Sequence, residues 1–167
     1  MLELYRCKGC GYVHVGGAPD ECPVCGAPKS FFLPYDGPGD LTGTRTLANL
    51  QAAFEGESQA RGRYTLFAHI AGLEGRAGAK DAFDRALTEE TAHALGHLAY
   101  MGAFGPTDEN LALAAEGEEY ETAEMYPEFA RIAEEEGFGQ IAQYFRAVGG
   151  YEKQHRNGFK KALDAGD

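Results

Sequence analysis

The chain has 167 residues, enough for one ordinary domain and a small module. Its formal net charge of -11 repels nucleic acids and anionic membranes, so neither is expected as a partner. Hydrophobic residues make up 44% of the chain, yet no apolar run approaches the roughly 20 residues that a membrane span requires. The N-terminal residues contain no apolar signal core, and a cytoplasmic, reducing location is therefore expected.

Four cysteines form two Cys-x-x-Cys pairs near the N-terminus: Cys7 with Cys10, and Cys22 with Cys25. In a reducing compartment this spacing indicates a metal site rather than disulfides, because each pair can place two thiolates on one tetrahedral ion. A glycine after each pair permits a tight turn that points backbone N–H groups at the sulfurs. The pair spacing fits iron and zinc about equally: zinc would only stabilise a small module, whereas iron would also carry electrons.

The composition changes sharply near residue 34. Residues 1–34 are predicted to form the metal-binding module, and residues 35–43 a linker interrupted by proline and glycine. Residues 44–167 are rich in Ala, Glu and Leu, with apolar residues spaced three and four apart. The predicted fold is therefore mainly α, an antiparallel four-helix bundle preceded by a small metal knuckle.

Four helices are predicted, over about 44–72, 80–104, 107–137 and 138–163. The first helix is expected to begin at a threonine cap, either Thr42 or Thr44. Pro127 is expected to bend the third helix. Gly149 and Gly150 are expected to weaken the middle of the fourth helix.

Acidic and imidazole side chains continue the apolar stripes of these helices, so they are expected to face the core. The first and third helices each place one Glu on the stripe, and the second and fourth each place a Glu-x-x-His motif. The set is Glu57, Glu118, Glu90 with His93, and Glu152 with His155. This combination is the ligand pattern of di-iron and di-manganese centres in four-helix bundles.

The interpretation depends on the cost of burying charge. One unpaired buried carboxylate costs roughly several kcal/mol, so a buried group of four requires neutralising cations. Two divalent ions meet that need, and oxygen and imidazole ligands suit iron or manganese. Glu121 follows Glu118 by three residues and shares its face. On this pattern alone, Glu121 is equally well explained as a further ligand or as a solvated acid.

Residues 53–64 and 124–133 resemble the first and third helices of rubrerythrins, and the two Cys pairs resemble their rubredoxin-like module. The module is N-terminal here, as in reverse rubrerythrins. The resemblance implies a ferritin-like bundle in which the six Glu and His residues above bind two irons and Glu121 is an additional ligand. It also implies that Tyr64 and Tyr126 hydrogen-bond the ligand carboxylates; otherwise they are core aromatics. His97 is expected to be a core histidine, and His14 and His69 structural or surface residues.

The resemblance also implies a function. The expected activity is reduction of hydrogen peroxide to water in oxidative-stress defence, with electrons passing from the Fe(Cys)4 site to the di-iron site. An NAD(P)H-dependent rubredoxin reductase or a rubredoxin would be the donor. A homodimer or higher oligomer is expected, with the knuckle of one chain docked on the bundle of another. The alternatives are a ferritin-like ferroxidase that handles iron, and a zinc-ribbon interaction module fused to a metal-stabilised bundle.

Overall fold

The N-terminal module is a small antiparallel sheet that carries the cysteine loops. A computed structural model describes residues 2–166. Strands β1 (Leu4–Cys7), β2 (Val13–Val15) and β3 (Phe32–Pro34) lie in the order β2-β1-β3. The small core of the module consists of Cys7, Tyr12, Cys22 and Phe32. Two of these four residues are candidate metal ligands, so the module has little apolar material of its own and depends on a bound ion for stability.

Five α-helices follow the module. They are α1 (Arg45–Leu73), α2 (Ala77–Met101), α3 (Thr107–Tyr120), α4 (Tyr126–Glu135) and α5 (Gly139–Ala165). A π-helical turn, Glu121–Met125, joins α3 to α4, so α3, the turn and α4 together form the predicted third helix. None of the described helices combines the length and apolarity needed to cross a membrane.

One predicted helix end is confirmed and another is wrong, and local hydrogen bonds explain both. Thr44 caps α1 as expected, because its hydroxyl accepts a hydrogen bond from the Leu47 N–H at 3.1 Å. The prediction that the second helix continues to residue 104 is wrong. Gly102 adopts a left-handed conformation (φ 63°) after Met101, and the Ala103 N–H bonds to the Leu98 carbonyl. This is a glycine C-terminal cap, and it ends α2 three residues early.

Pro127 lies just after the π-helical turn. The Tyr126 N–H bonds to the Glu121 carbonyl, five residues earlier. Pro127 is the second residue of α4, a position where its missing N–H costs little. The turn inserts one extra residue relative to a regular α-helix, and such insertions are frequent at functional sites.

The described chain divides into two units, one that ends at Phe104 and one that begins at Gly105. The first contains the module with α1 and α2, and the second contains α3, α4 and α5. In both units, the fully buried positions of the helices are small residues, such as Ala68 and Ala92 in the first unit and Ala130 and Ala142 in the second. Small residues at these positions allow neighbouring helices to approach closely.

Gly149 and Gly150 both lie within a continuous α5, but their surroundings differ. A Cβ atom at Gly149 would lie 3.0 Å from the Tyr126 Cβ, whereas a Cβ at Gly150 would meet no described atom within 4 Å. Gly149 therefore permits α5 to pack closely against the helix that carries Tyr126. Gly150 contributes no such contact and only lowers the helix propensity.

This difference predicts opposite effects from the same substitution at neighbouring positions. Gly150→Ala should stabilise the protein by about 0.5–1 kcal/mol, because alanine loses less backbone entropy in a helix. Gly149→Ala should destabilise it by about 1–2 kcal/mol, because overpacking outweighs the gain in propensity. Urea unfolding of the two variants, followed by circular dichroism, measures both changes. Equal stabilisation by both would show that the contact with Tyr126 is not tight.

Candidate metal centres

The four cysteine sulfurs form one compact cluster. The Cys7 and Cys25 sulfurs lie 3.8 Å apart, and those of Cys10 and Cys22 lie 3.7 Å apart. All four sulfurs lie within 4.8 Å of one another. A tetrahedral ion with metal–sulfur bonds of about 2.3 Å requires sulfur–sulfur separations of about 3.8 Å. The sulfur positions therefore fit one tetrahedral ion.

The two cysteine loops are built alike. Gly11 and Gly26 follow the second cysteine of each pair with φ of 87° and 68°, a conformation that favours glycine. Their N–H groups bond to the carbonyls of Cys7 and Cys22 at 3.0 and 2.9 Å. These bonds close each loop around its pair of thiols.

Backbone groups within the loops also act on the sulfurs. Burial opposes ionisation of the Cys7 thiol, but N–H groups of Cys10 and Gly9 donate to its sulfur, and the net effect lowers the pKa of Cys7 to about 7. Burial raises the pKa of the Cys10 thiol to about 12. One thiol of the cluster is thus prepared to ionise near neutral pH, while full ionisation of the cluster requires a bound cation.

Three candidate ligands meet between α1 and α2. The Nδ1 atom of His93 lies 2.8 Å from a Glu90 carboxylate oxygen and 3.9 Å from a Glu57 oxygen. The ligand atoms of all three residues lie within 4.8 Å of one another. The two carboxylates are partly buried, with side chains 27% and 19% exposed for Glu57 and Glu90. We call this set the first Glu/His cluster.

The second unit contains an equivalent arrangement between α3 and α5. The Nδ1 atom of His155 lies 2.7 Å from a Glu152 oxygen and 3.8 Å from a Glu118 oxygen. These three residues also have their ligand atoms within 4.8 Å of one another. We call this set the second Glu/His cluster. Its distances match those of the first cluster to about 0.1 Å, so the two Glu-x-x-His motifs produce the same local geometry.

Each cluster brings like charges together. Burial raises the pKa of Glu57, and the neighbouring Glu90 carboxylate raises it further. Burial also raises the pKa of Glu118, and the charges of Glu152 and Glu121 add to that effect. A divalent cation between the carboxylates would replace this repulsion with attraction. The oxygen and imidazole ligands in each cluster suit iron.

Glu121 begins the π-helical turn and is partly buried, outside the three-residue set of the second cluster. Its charge reaches that cluster, since it raises the pKa of Glu118 and, after burial, that of Tyr126. The structure thus places Glu121 and Tyr126 beside the second cluster. Their roles there remain predictions.

Tyr64 and Tyr126 occupy matching aromatic groups. Tyr64 packs with Phe67 and Phe83, at ring-centroid distances of 6.4 and 6.1 Å. Tyr126 packs with Phe129 and Phe145 at 6.4 and 6.2 Å. Each tyrosine follows the first glutamate of its own cluster by about two helical turns. These paired groups, which extend the repeat beyond Glu-x-x-His, were not predicted from the sequence.

The module packs on α2 within the first unit. A Cβ at Gly96 would lie only 3.1 Å from the ring of Tyr12, so the ring rests directly on the helix backbone. The Tyr100 hydroxyl donates to the Gly11 carbonyl at 2.6 Å, and Arg6 Nε donates to that hydroxyl at 3.3 Å. The sequence analysis missed this contact. The available signal was a glycine inside a strong helical pattern, one residue before His97.

A cleft of about 340 Å³ is shared by the knuckle and the first Glu/His cluster. Cys10, Glu57 and His93 all line it. His97 is half-buried and also lines the cleft. Burial lowers the pKa of His97, and the neighbouring His93 adds to that effect. The four-cysteine site and the first Glu/His cluster therefore contribute residues to the same cleft.

The described fold and sites define a class: a ferritin-like protein with a carboxylate- and histidine-rich metal centre, preceded by a rubredoxin-like four-cysteine site. Comparison with known families agrees. Residues 48–163 match the family described as rubrerythrin, and residues 5–33 match the rubrerythrin rubredoxin-like domain. The chain belongs to the rubrerythrin family, with the rubredoxin-like domain at the N-terminal side.

Several curated relatives support this assignment. The chain is 36% identical to rubrerythrin-1 of Clostridium acetobutylicum, over 74% of this chain and 72% of the relative. It is 39% identical to the rubrerythrin of Nitratidesulfovibrio vulgaris, over 71% and 69% of the two chains. Reverse rubrerythrin-1 of Clostridium acetobutylicum is 27% identical and aligns over 98% of both chains. Rubrerythrins are generally di-iron peroxidases that act in oxidative-stress defence. The four-cysteine site fits a rubredoxin-like iron, and the Glu/His clusters fit the di-iron site.

The separation of the two kinds of site predicts that each can be removed alone. Cys22→Ser should abolish the visible thiolate-to-iron band and the knuckle iron, because a serine hydroxyl is a poor replacement for a thiolate ligand. Glu152→Ala should leave that band unchanged and lower only the iron bound by Glu and His. Absorption spectra and iron analysis of the two variants measure this. Loss of the thiolate band in Glu152→Ala would contradict independent sites.

Proposed function

We propose that this protein reduces hydrogen peroxide to water at a di-iron centre assembled from the two Glu/His clusters. Glu57, Glu90 and His93 would hold one iron, and Glu118, Glu152 and His155 the other. Glu121 would be an additional ligand, with Tyr64 and Tyr126 beside the centre. The Fe(Cys)4 knuckle would supply electrons that it receives from a reductase or rubredoxin linked to NAD(P)H.

The packing of the knuckle on α2 carries this proposal. Cys10 and the first Glu/His cluster line the same cleft, and Tyr12 and Tyr100 fix the module against the helix. Such close packing is what electron transfer between two metal sites needs. It favours transfer from the knuckle to the cluster of the same chain, whereas the sequence had suggested transfer between subunits.

The electron count fits the reaction. Reduction of one hydrogen peroxide to two water molecules breaks the O–O bond and consumes two electrons and two protons. When bound, the two ferrous ions supply both electrons and stabilise the charge that develops on the oxygens. The residues of the chain hold the metals, balance their charge with carboxylates and keep the knuckle within reach. An iron held by Cys7, Cys10, Cys22 and Cys25 would carry one electron at a time, so each turnover would need two deliveries.

The ferroxidase alternative is less well supported. A ferroxidase takes electrons from its ferrous substrate and therefore needs no electron-donating module. Here the module is fastened to the helix next to His93 by hydrogen bonds and by the Tyr12 ring. A fixed donor site of this kind favours a reaction that consumes electrons.

The decisive experiment mixes the fully reduced protein anaerobically with hydrogen peroxide. The reduced knuckle is nearly colourless, and its oxidation restores the red thiolate band. We expect the band to return as peroxide is consumed, with steady peroxide-dependent oxidation of NADH once a rubredoxin and its reductase are added. Cys22→Ser should stop the NADH oxidation. Turnover that is unchanged in Cys22→Ser would disprove the electron route.

The contact between Tyr12 and Gly96 provides a more selective test. Gly96→Leu should weaken docking of the module on α2, because overpacking costs about 1–3 kcal/mol and each 1.4 kcal/mol changes the equilibrium constant for docking about tenfold. Peroxide-driven oxidation of the knuckle should then slow by about tenfold, with both metal contents unchanged. Gly78→Leu is the matched control, since Gly78 lies in the first turn of α2 and a Cβ there meets no described atom within 4 Å. Equal rates in both variants would exclude this docked path.

A further inference from the structure

One surface of the N-terminal module combines two cations with two exposed apolar side chains. Arg6 and Lys8 flank the buried Cys7 at the end of β1, and both line the same groove. Leu33 on β3 is the strand partner of Arg6, and the Phe31 carbonyl accepts a hydrogen bond from the Lys8 N–H at 2.9 Å. Phe31 and Leu33 are 43% and 50% exposed. We call Arg6, Lys8, Phe31 and Leu33 the basic face.

The charge of the basic face differs from that of the rest of the protein. Residues 1–34 contain three basic and three acidic residues, so the formal net charge of -11 belongs entirely to the rest of the chain. The groove beside Arg6 and Lys8 has a volume of about 470 Å³, and no acidic residue in the described part of the chain lines it. The Lys8 ammonium lies over the Phe31 ring, 5.3 Å from its centroid. Both cations are exposed, so the basic face is a local region of positive charge on an otherwise acidic protein.

The basic face reaches the cysteine cluster at Gly9. A Cβ atom at Gly9 would lie 3.5 Å from the Cys25 sulfur, 3.6 Å from the Cys7 sulfur and 3.8 Å from the Phe31 ring. Because glycine has no side chain, a partner seated on Lys8 and Phe31 can approach two of the sulfurs closely. The basic face therefore gives access to the metal site from the surface of the module.

This access is distinct from the cleft that the knuckle shares with the first Glu/His cluster. Cys10 lines that cleft, and no other cysteine in residues 2–166 does so. Cys25 is exposed beside Gly9 instead. The cluster thus has one sulfur toward the proposed electron acceptor and another toward the basic face.

We infer that the basic face is the docking surface for the electron donor, and that this donor is a one-electron carrier protein with an acidic surface around its own redox centre. Carboxylates of the donor would contact Arg6 and Lys8, and apolar residues of the donor would pack on Phe31 and Leu33. One electron would pass from the reduced donor to the ferric knuckle, and no bond would form or break. The inference rests on the proposed role of the knuckle as an electron carrier.

Electrostatics explains why an acidic donor would use this surface. The bundle repels an acidic protein, so the approach is favourable where cations are exposed. A basic donor would instead be attracted to the acidic bundle as a whole. Weak redox complexes bury less than about 1,200 Å², which agrees with the small size of the basic face. Charges at the edge of such a contact mainly raise the association rate.

Binding of a redox-inert pair tests the docking surface apart from electron transfer. The full chain is prepared with zinc in the knuckle and ¹⁵N labelling, and is titrated with a zinc-loaded rubredoxin of strongly negative net charge. We expect shifts in the nuclear magnetic resonance spectrum to centre on the basic face. Lys8→Glu should weaken binding about tenfold at low salt, because repulsion replaces an attractive contact. The difference should vanish near 1 M salt, where the Debye length is about 3 Å.

Two further variants separate the contributions of charge and apolar contact. Lys80→Glu is the matched control, since it changes the net charge equally and lies twenty residues before Tyr100 on α2, about 30 Å along the helix. Its binding should stay within about twofold of wild type. Leu33→Ser should weaken binding several-fold at both salt concentrations, because salt does not screen an apolar contact.

Stopped-flow reduction of the iron-loaded protein tests electron entry. Lys8→Glu should slow reduction by the reduced iron form of the same rubredoxin about tenfold at low salt. Reduced methyl viologen is a small cation, so it should reduce Lys8→Glu at least as fast as wild type. Oxidation of the reduced knuckle by peroxide should be unchanged, because electrons leave beside Cys10. Equal slowing with rubredoxin and methyl viologen would show damage to the iron site and would contradict the inference.

The outcomes distinguish this inference from the proposed function. Binding that depends on Lys8, in a protein that does not reduce peroxide, would support the docking surface and contradict the proposed reaction. Equal binding of rubredoxin by wild type and Lys8→Glu at low salt would overturn the inference. A changed oligomeric mass in Lys8→Glu with unchanged rubredoxin binding would assign the face to contacts between copies of this chain, and would overturn it as well.

Discussion

Repulsion between carboxylates held at short range is the constraint on which this structure depends. Burial raises the pKa of Glu57 and of Glu118, and the neighbouring carboxylates of Glu90 and Glu152 raise it further. A fold that gathers such groups is stable at neutral pH only when the charge is compensated. Divalent cations held by these clusters would compensate it. The same metals would then both stabilise the clusters and supply the chemistry of the proposed reaction.

The sequence predicted the parts of the structure that repeat at helical spacing. Glu90 with His93 and Glu152 with His155 could be placed on one face because positions three apart share a helix face. The cysteine cluster followed from pair spacing, which constrains the sulfurs locally. The structure brings the cysteines and each Glu-x-x-His pair together as the sequence suggested, because these arrangements depend on short-range geometry.

Contacts between segments that are far apart in the chain were harder to predict from the sequence. Nothing in the sequence around Gly96 predicts that Tyr12, more than eighty positions earlier, will pack against it. Glycine within a helix normally lowers the stability of the helix. Gly96 and Gly149 instead make room for an aromatic residue that packs against the helix backbone. The end of α2 was also missed, since the left-handed cap at Gly102 competes with an apolar pattern that continues beyond it.

The helical parts of the two units carry similar motifs, and a clear difference between them lies at the π-helical turn. Tyr64 follows Glu57 by seven residues, whereas Tyr126 follows Glu118 by eight. The Tyr126 ring nevertheless keeps the same distances to its two phenylalanines as the Tyr64 ring does. The π-helical turn absorbs the extra residue and so preserves the register of the aromatic group. Glu121 begins this turn, three residues after Glu118, whereas the residue three positions after Glu57 on α1 is Ala60, so only the second cluster has an additional carboxylate at this place.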